Sequence, residues 1–219
     1  MIKLGITGGI GSGKSYVARM LSQKGFAVYD TDSEAKRLML SDADIRRELI
    51  ELLGPEVYSG EKLNKPLLAN YLFATEENAA RINSIVHPCV KRDFLRWAAA
   101  RSNDELVVLE SAILYESGFE DVVDYVVTVY APLEIRISRA MERDHSTAEQ
   151  VKERIASQMD EDLKCSRADF VVINDGRSLL PQLKNLLKAL KNGKGGLSCR
   201  TVPFYDRNIS SYFKIISYL

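Results

Sequence analysis

Five short apolar runs divide the chain into alternating strand and helix segments. They lie at 2–6, 26–29, 106–109, 125–130 and 170–173. None shows the strict apolar–polar alternation of a strand with one solvated face, and segments with helical spacing separate them. Continuous apolar strands that alternate with helices are typical of a parallel sheet covered on both faces. The pattern therefore predicts an α/β fold.

Apolar residues at helical spacing follow the first, fourth and fifth runs. Val17, Met20 and Leu21 follow the first run. A helix at about 132–143 carries Leu133, Ile137, Ala140 and Met141 on one face, and a helix over 178–190 buries Leu179, Leu183, Leu186 and Leu187. Between these two, Ser146 and Glu149 predict a capping box that opens a helix with the stripe Val151, Ile155 and Met159.

Roughly 75 residues between the second and third runs carry no strand signal. Helical patterns occupy 33–53, 65–73 and 76–100, with a turn at Gly54-Pro55 and caps at Ser41 and Thr75. A sheet connection needs far fewer residues, so the pattern predicts an inserted helical subdomain. After Gly193 a glycine-lysine stretch is typical of a linker, and no role can be assigned to residues 193–219.

The most specific motif is Gly8–Ser15, which matches G-x-x-x-x-G-K-[ST] between the first strand and a helix. Its glycines let successive backbone N–H groups point into one concavity, and the helix adds its positive N-terminus. Lys14 is expected to reach the terminal phosphates, and Ser15 to offer its hydroxyl to Mg²⁺. The motif predicts a nucleoside-triphosphate site, with Gly11, Ser12, Gly13, Lys14, Ser15 and Tyr16 as the ATP-binding residues.

Acidic residues follow two of the predicted strands. Asp30 and Asp32 come directly after the second strand, at the edge of a parallel sheet where ligands bind. One of them can orient an acceptor hydroxyl and accept its proton, while the other caps a helix. The alternative is that both are helix caps. Glu110 ends the third strand and is a candidate neighbour of Mg²⁺, although an acid at a strand end is often only solvated.

Composition narrows the classes of protein. There are 30 basic and 30 acidic residues, so net charge gives no argument for nucleic acid or an anionic membrane. Three separated cysteines without C-x-x-C, and two histidines, argue against disulfides and a histidine metal centre. The N-terminal apolar stretch is too short for a signal peptide, and Asp124 interrupts the valine-rich 122–131 stretch. We expect a soluble cytoplasmic protein.

An ordered set of motifs resembles the dephospho-CoA kinase family. It begins with Leu4–Ser15, which contains T-G-G-I-G-S-G-K-S, and continues with the D-x-D of Asp30-Thr31-Asp32. Later matches are His87-Pro88, Arg139–Asp144, Arg154–Met159, Arg167-Ala168-Asp169 and Ile173–Gly176. The resemblance spans about residues 2–190. It implies a P-loop kinase-type sheet with a helical substrate-binding insertion and a helical lid.

The resemblance also implies an activity, the transfer of the ATP γ-phosphoryl group to the ribose 3′-hydroxyl of dephospho-CoA. Asp32 falls on the family's proposed base, so Asp32, Lys14 and Arg139 are the expected catalytic residues. Asn174 lies where the family approaches adenine. Acceptor binding is expected at Thr7, Asp30, His87 and Glu116, and the metal neighbours at Ser15 and Glu110. No protein partner is implied.

The implied division of the chain has three parts. Residues 1–32, 101–138 and 166–192 form the nucleotide-binding core, 33–100 the acceptor domain and 139–165 a mobile lid. The chain departs from the family at Ala112, where a proline is expected, but it retains Glu116.

Arg143 and Arg154 are further candidates for phosphate contacts. For Arg143 the alternative is a solvated helix face on which it pairs with Glu142 or Asp144. His87 precedes a proline at an expected helix break and is more readily structural or substrate-positioning than catalytic.

Two other functions are consistent with the loop alone. A GTP-hydrolysing switch requires N-K-x-D and D-x-x-G, but Asn64-Lys65-Pro66-Leu67 lacks the final aspartate, and no aspartate is followed three residues later by glycine. A kinase for another small hydroxyl metabolite would carry the same loop. The choice of dephospho-CoA as acceptor rests on the resemblance.

Overall fold

A parallel five-stranded sheet forms the centre of the computed structural model, which describes residues 1–192. The strands in this range are β1 (Ile2–Thr7), β2 (Ala27–Asp30), β3 (Tyr58–Ser59), β4 (Lys62–Leu63), β5 (Leu106–Glu110), β6 (Tyr125–Tyr130) and β7 (Phe170–Ile173). The sheet order is β2-β5-β1-β6-β7, and all neighbours are parallel. The five predicted strands and the α/β class are confirmed. The predicted tail, 193–219, lies outside the described residues.

Helices cover both faces of this sheet, as continuous apolar strands require. They are α1 (Lys14–Ser22), α2 (Thr31–Ser41), α3 (Ala43–Leu53), α4 (Lys65–Ala74), α5 (Glu76–Ala99), α6 (Leu133–Asp144), α7 (Ala148–Ala156), α8 (Glu161–Arg167) and α9 (Leu179–Lys191). Alternate residues of β5 enter two different cores. Val107 and Leu109 pack with the inserted helices, while Leu106 and Val108 pack with α1 and α9.

The inserted region between β2 and β5 is helical, but it also contains a short hairpin, and its first helical segment is divided into α2 and α3. Asp42 ends α2 and caps α3, because its carboxylate accepts hydrogen bonds from the backbone N–H groups of Asp44 (3.0 Å) and Ile45 (3.1 Å). The helical pattern over 33–53 therefore corresponds to two helices, and the expected cap at Ser41 was wrong by one residue, because Asp42 is the cap. Strands β3 and β4 form a short hairpin that no apolar run predicted. The cap at Thr75 is confirmed.

Helix α5 passes through Pro88 without ending, so the expected break after His87 was wrong. A proline inside a helix removes one backbone hydrogen bond, but packing can outweigh that loss. Here the proline side is exposed, and Val86, Val90 and Phe94 on the other side are buried in the core of the inserted helices.

Helix α7 begins one residue later than its sequence pattern indicates. The capping box uses Thr147 and Gln150 rather than Ser146 and Glu149, because the Thr147 hydroxyl accepts from the Gln150 backbone and the Gln150 side chain accepts from the Thr147 N–H. The helix ends at Ala156, so Met159 lies outside it. No helix within residues 1–192 is long and apolar enough to cross a membrane.

Candidate active site

The loop between β1 and α1 has a conformation that only glycine tolerates at key points. Gly13 precedes α1 with a φ of 92°, and a Cβ there would lie 2.2 Å from the Asn174 side-chain nitrogen. Lys14 and Ser15 then form the first turn of α1. Their backbone N–H groups are therefore among those that an α-helix leaves without intrahelical partners, and the helix N-terminus favours an anion such as a phosphate.

Ser15 and Glu110 meet at the end of β5. The Ser15 hydroxyl donates a hydrogen bond of 2.5 Å to the Glu110 carboxylate. Parallel pairing aligns Glu110 with Ile6 of β1, directly before the loop. Burial raises the pKa of Glu110 above its usual value, opposed by the Ser15 hydrogen bond and the Lys14 charge. A hydroxyl and a buried carboxylate are hard oxygen donors, so the two residues fit a Mg²⁺ ion that also binds substrate phosphates.

The two aspartates after β2 have different surroundings. The Asp30 carboxylate caps α2 by accepting from the Asp32 N–H (3.1 Å) and from the Ser33 hydroxyl (2.6 Å). The Asp32 side chain is exposed and has no hydrogen-bond partner in the described part of the chain. Because β2 pairs with β5, both aspartates lie beside Glu110 and add negative charge near it. Asp32 is therefore the aspartate whose carboxylate can accept a bond from an added hydroxyl.

Arg139 and Asn174 brace the loop from α6 and the end of β7. The Asn174 amide nitrogen donates to the Ser12 carbonyl (2.8 Å), and Arg139 donates to the Asn174 backbone carbonyl (3.0 Å). Hydrogen bonds from Arg139 to Asn174 and from Asn174 to Ser12 therefore connect the phosphate loop to α6 and to the end of β7. The predicted adenine contact of Asn174 remains a prediction.

A buried ion pair that we did not single out from the sequence lies against the same loop. Arg136 and Glu161 are 2.9 Å apart and both nine-tenths or more buried. Arg136 donates to the Ile10 carbonyl (3.0 Å), and Glu161 accepts from the Gly9 N–H (3.1 Å). The pKa of Glu161 is raised by burial, which the charge of Arg136 opposes. The sequence offered one signal for this ion pair, which is that Arg136 lies on the same face of α6 as the apolar Ala140.

Glu116, expected to bind the acceptor, contacts the base of the predicted lid. Its carboxylate pairs with Lys164 at 3.1 Å and accepts from the Met159 N–H at 2.9 Å. Lys164 is fully buried and also donates to the carbonyl of Ala112, the residue at the position where the family has proline. Acceptor binding by Glu116 stays a prediction, since this arrangement engages one of its oxygens.

The remaining predicted residues lie in separate surroundings. His87 is half-buried in α5, with its ring centroid 6.1 Å from that of Phe119, and burial lowers its pKa. Tyr16 is largely exposed on α1. Thr7 ends β1 fully buried, and its hydroxyl has no partner among residues 1–192. Of these three, Thr7 and Tyr16 flank the loop directly in sequence.

Asp144 binds two of the candidate phosphate-binding arginines. Arg143 donates to it at 2.7 and 2.9 Å, and Arg154 donates at 2.7 Å. These two guanidinium groups hold the pKa of Asp144 well below its usual range. The alternative for Arg143, an exposed arginine paired with Asp144, is therefore confirmed, and Arg154 binds the same carboxylate. Phosphate contacts of these two arginines stay predictions.

The parallel sheet and the glycine loop with Lys14 and Ser15, beside Glu110 and Asp32, define a P-loop kinase. A shikimate kinase from Acinetobacter baumannii shares the fold, with a TM-score of 0.53 and 17% identity over 89% of this chain and 95% of that one.

The sequence comparisons are more specific. The model of the family described as dephospho-CoA kinase matches residues 2–179, and the chain belongs to that family. A dephospho-CoA kinase from Bacteroides fragilis is 52% identical over 190 residues, which is 86% of this chain and 93% of that protein. A solved structure from Thermus thermophilus covers 89% of this chain and 98% of its own, with 36% identity and a TM-score of 0.72.

Proposed function

We propose that this chain transfers the γ-phosphoryl group of ATP to the ribose 3′-hydroxyl of dephospho-CoA, giving CoA and ADP, the last step of coenzyme A biosynthesis. The observation that carries the proposal is the meeting of three strand ends in a member of this family. β1 leads into the phosphate loop, β5 ends at Glu110, and β2 leads to Asp32, all at one edge of the sheet.

Position and charge account for most of the chemistry, because phosphoryl transfer passes through a loose transition state. Lys14 and the loop N–H groups hold the β- and γ-phosphates. Asp32 accepts the hydrogen bond of the 3′-hydroxyl, directs its oxygen at the γ-phosphorus and takes its proton. Asp30 keeps the start of α2 in place, so its contribution is to position Asp32.

Arg139 and the buried pair act on the loop. Arg139 uses one side of its guanidinium on Asn174, and its remaining N–H donors are available for phosphate oxygens. Arg136 and Glu161 fix the backbone of Gly9 and Ile10 from the outside. A loop that is already held in this conformation needs little reorganisation when it binds phosphates. Such preorganised donors stabilise the transition state.

Mg²⁺ is the cofactor that we assign to this site: Ser15 and Glu110 would hold it, and it would neutralise phosphate charge there. We assign residues 33–100 to the acceptor, 139–165 to the lid, and 1–32, 101–138 and 166–192 to the nucleotide core. The cysteine usage noted above supports a cytoplasmic location.

The test is ADP formation from ATP with and without dephospho-CoA, combined with mass analysis of the acceptor. We expect ADP to form in step with a product that carries one additional phosphate. Shikimate and adenosine serve as alternative acceptors, and GTP as an alternative donor. ADP formation independent of dephospho-CoA would favour a hydrolytic switch, and a strong preference for another acceptor would favour a different metabolite kinase.

A further inference from the structure

The four residues between α7 and α8 contact two separate parts of the molecule. We call residues 157–160 the linker. The side-chain oxygen of Gln158 accepts a hydrogen bond of 2.9 Å from the Ile10 N–H of the phosphate loop. The next residue, Met159, donates its backbone N–H to the Glu116 carboxylate at 2.9 Å. Two adjacent residues of the linker therefore connect the phosphate loop with the segment that follows β5.

Gln158 makes the weaker of two contacts at the start of the phosphate loop. The Gly9 N–H is bonded to Glu161, which is buried together with its partner Arg136. The Ile10 N–H is bonded to Gln158, which is half-buried and neutral. A hydrogen bond between neutral groups is weaker than one to a charged group. The contact between Ile10 and Gln158 can therefore open while the buried ion pair stays intact.

On its other side, the linker contacts the segment 111–118. The Glu116 carboxylate of this segment binds both the Met159 N–H and the buried Lys164 of α8. Leu114 of the same segment is part of the core that includes the inserted helices, and the Met159 side chain packs against that core. The position of the linker and the packing of the segment 111–118 therefore depend on each other.

The linker has fixed ends and open space beside it. Helix α7 ends at Ala156, and Asp160 caps α8 by accepting hydrogen bonds from two backbone N–H groups at 2.9 and 3.1 Å. A cleft of about 390 Å³ borders the linker, and its lining includes Leu133, Arg136, Ile155, Gln158 and Met159. A segment beside open space can shift with little loss of packing. The linker is therefore suited to two positions, one with both hydrogen bonds formed and one with both broken.

We propose that Gln158 is a positioning residue for the phosphate loop, and that the linker couples nucleotide binding at this loop to the segment 111–118. A loop fixed by bound phosphates keeps the Ile10 N–H on Gln158, and the same linker position keeps the Met159 N–H on Glu116. Such coupling is reciprocal, so order in the segment 111–118 also favours the nucleotide-binding form of the loop. The inference goes beyond the proposed transfer reaction, because it requires only a nucleotide at the loop.

The test is hydrogen exchange with mass detection on the full chain, with and without an ATP analogue and Mg²⁺. In wild type, saturating analogue should slow exchange over 111–118 about fivefold, the effect expected of one neutral hydrogen bond. In Gln158→Met, which keeps the side-chain length but lacks the acceptor oxygen, the slowing there should fall below about twofold. Peptides of the phosphate loop should remain protected. Gln23→Met, at the exposed end of α1, is the matched control and should behave as wild type.

A second variant and a kinetic measurement separate positioning from a structural role. Gln158→Glu keeps an acceptor oxygen, so at saturating analogue it should restore the slowing over 111–118. Gln158→Met should lower kcat/KM for ATP about fivefold, because the loop is less preorganised, while the midpoint of denaturant unfolding stays at the wild-type value. An equal loss of kcat/KM in Gln23→Met would contradict the assignment.

Three results would overturn the inference. If the slowing over 111–118 persists in Gln158→Met, the nucleotide acts on this segment without the linker. If wild type binds the analogue in a calorimetric titration but shows no slowing over 111–118, the two sites are not coupled, although the proposed function stands. If wild type does not bind the analogue at all, the proposed function fails and the inference fails with it.

Discussion

Burial of Glu110 disfavours the charged form of its carboxylate, whereas the proposed activity uses that charged form. The carboxylate is 8% exposed and close to Asp30 and Asp32, so its charged form is disfavoured by desolvation and by repulsion. Its pKa is raised in the folded state. Titratable groups with such perturbed pKa values are typical of functional sites, and here the carboxylate lies beside the hydroxyl of Ser15.

Glu110→Gln should therefore stabilise the fold and impair turnover. Because the folded-state pKa is above the unfolded value, the carboxyl group's contribution to stability is lost as pH rises through the folded pKa. We expect the variant to gain about 1 kcal/mol at neutral pH, and the gain to shrink towards about pH 4. Denaturant unfolding at several pH values measures this, with exposed Glu51→Gln as the control. A variant that is less stable than wild type at neutral pH would contradict the prediction.

Lys14→Ala should abolish most of the turnover while the fold is kept. The loss of one preorganised cation at the phosphates costs on the order of 10²–10³ in rate, or about 3–4 kcal/mol. Steady-state ADP formation and circular dichroism measure the two quantities. Lys24→Ala, in the exposed turn after α1, should match wild type. If the Lys14 variant keeps more than about a tenth of the turnover, this loop is not the catalytic one.

Asp32→Asn should lower kcat by roughly 10²–10⁴ with little change in ATP affinity, because it keeps the size of the residue but removes the proton acceptor. Asp30→Asn should affect the rate less, since the Asp30 carboxylate caps α2. It should instead lower stability by up to about 1 kcal/mol, as changes at helix caps do. The opposite order of the two kcat losses would reverse the assigned roles.

At the scale of elements, α6 and α7 form a pair with a small shared core. Val151 of α7 packs with Ile137 and Ala140 of α6, and Ile10 of the loop packs against them. Asp144, with Arg143 and Arg154, adds an ion-pair network at the surface. Surface ion pairs contribute little to stability in water, so this small cluster is the main contact that holds α7.

We expect the amides of 146–163 to exchange quickly in the free protein and to become protected with an ATP analogue and Mg²⁺. Few buried contacts make local opening easy, and bound triphosphate adds contacts in the closed state that the free protein lacks. Hydrogen exchange with mass detection measures this, and α9 should be unaffected by the ligand. Equal protection in both states would indicate a rigid lid and would remove Arg154 as a candidate for phosphate contact.

At the scale of the whole molecule, contacts between distant segments hold the phosphate loop. Glu161 is 152 residues from Gly9, Arg136 is 126 residues from Ile10, and Asn174 is 162 residues from Ser12. The loop conformation therefore depends on α6, on α8 and on the end of β7. Disturbance of any of these elements should affect both the stability of the fold and the binding of nucleotide.

Glu161→Gln should lower the free energy of unfolding by about 3 kcal/mol, because it leaves the buried Arg136 charge without its partner. The double variant Arg136→Met with Glu161→Leu should recover part of this stability, yet keep a raised KM for ATP, since the bonds to Gly9 and Ile10 are gone. Denaturant unfolding and steady-state kinetics measure the two effects. Asp44→Asn, which breaks an exposed pair with Arg47, is the control. A double variant with unchanged KM would show that the pair is only structural.

Much of the fold and part of the site follow from local pattern. Strands β5, β6 and β7 are uninterrupted apolar runs, and Gly8–Ser15 is a contiguous motif. Each could therefore be predicted from its own residues, without knowledge of the segments that pack against it. The hairpin β3–β4 was missed because two-residue strands are too short to show a period. The cap of α7 was shifted by one residue because Ser146 and Thr147 are both good caps, and only the fold chooses between them.

The sequence by itself determined the α/β class, the phosphate loop and the pair of aspartates, since each depends on residues that are adjacent or regularly spaced. Tertiary structure alone decided which aspartate is free, that Arg154 of α7 binds Asp144 of α6, and that Arg136 meets Glu161 beside the loop. The reason is that burial and ion pairing depend on which distant segments pack together, and in this chain those segments are separated by more than a hundred residues at the loop.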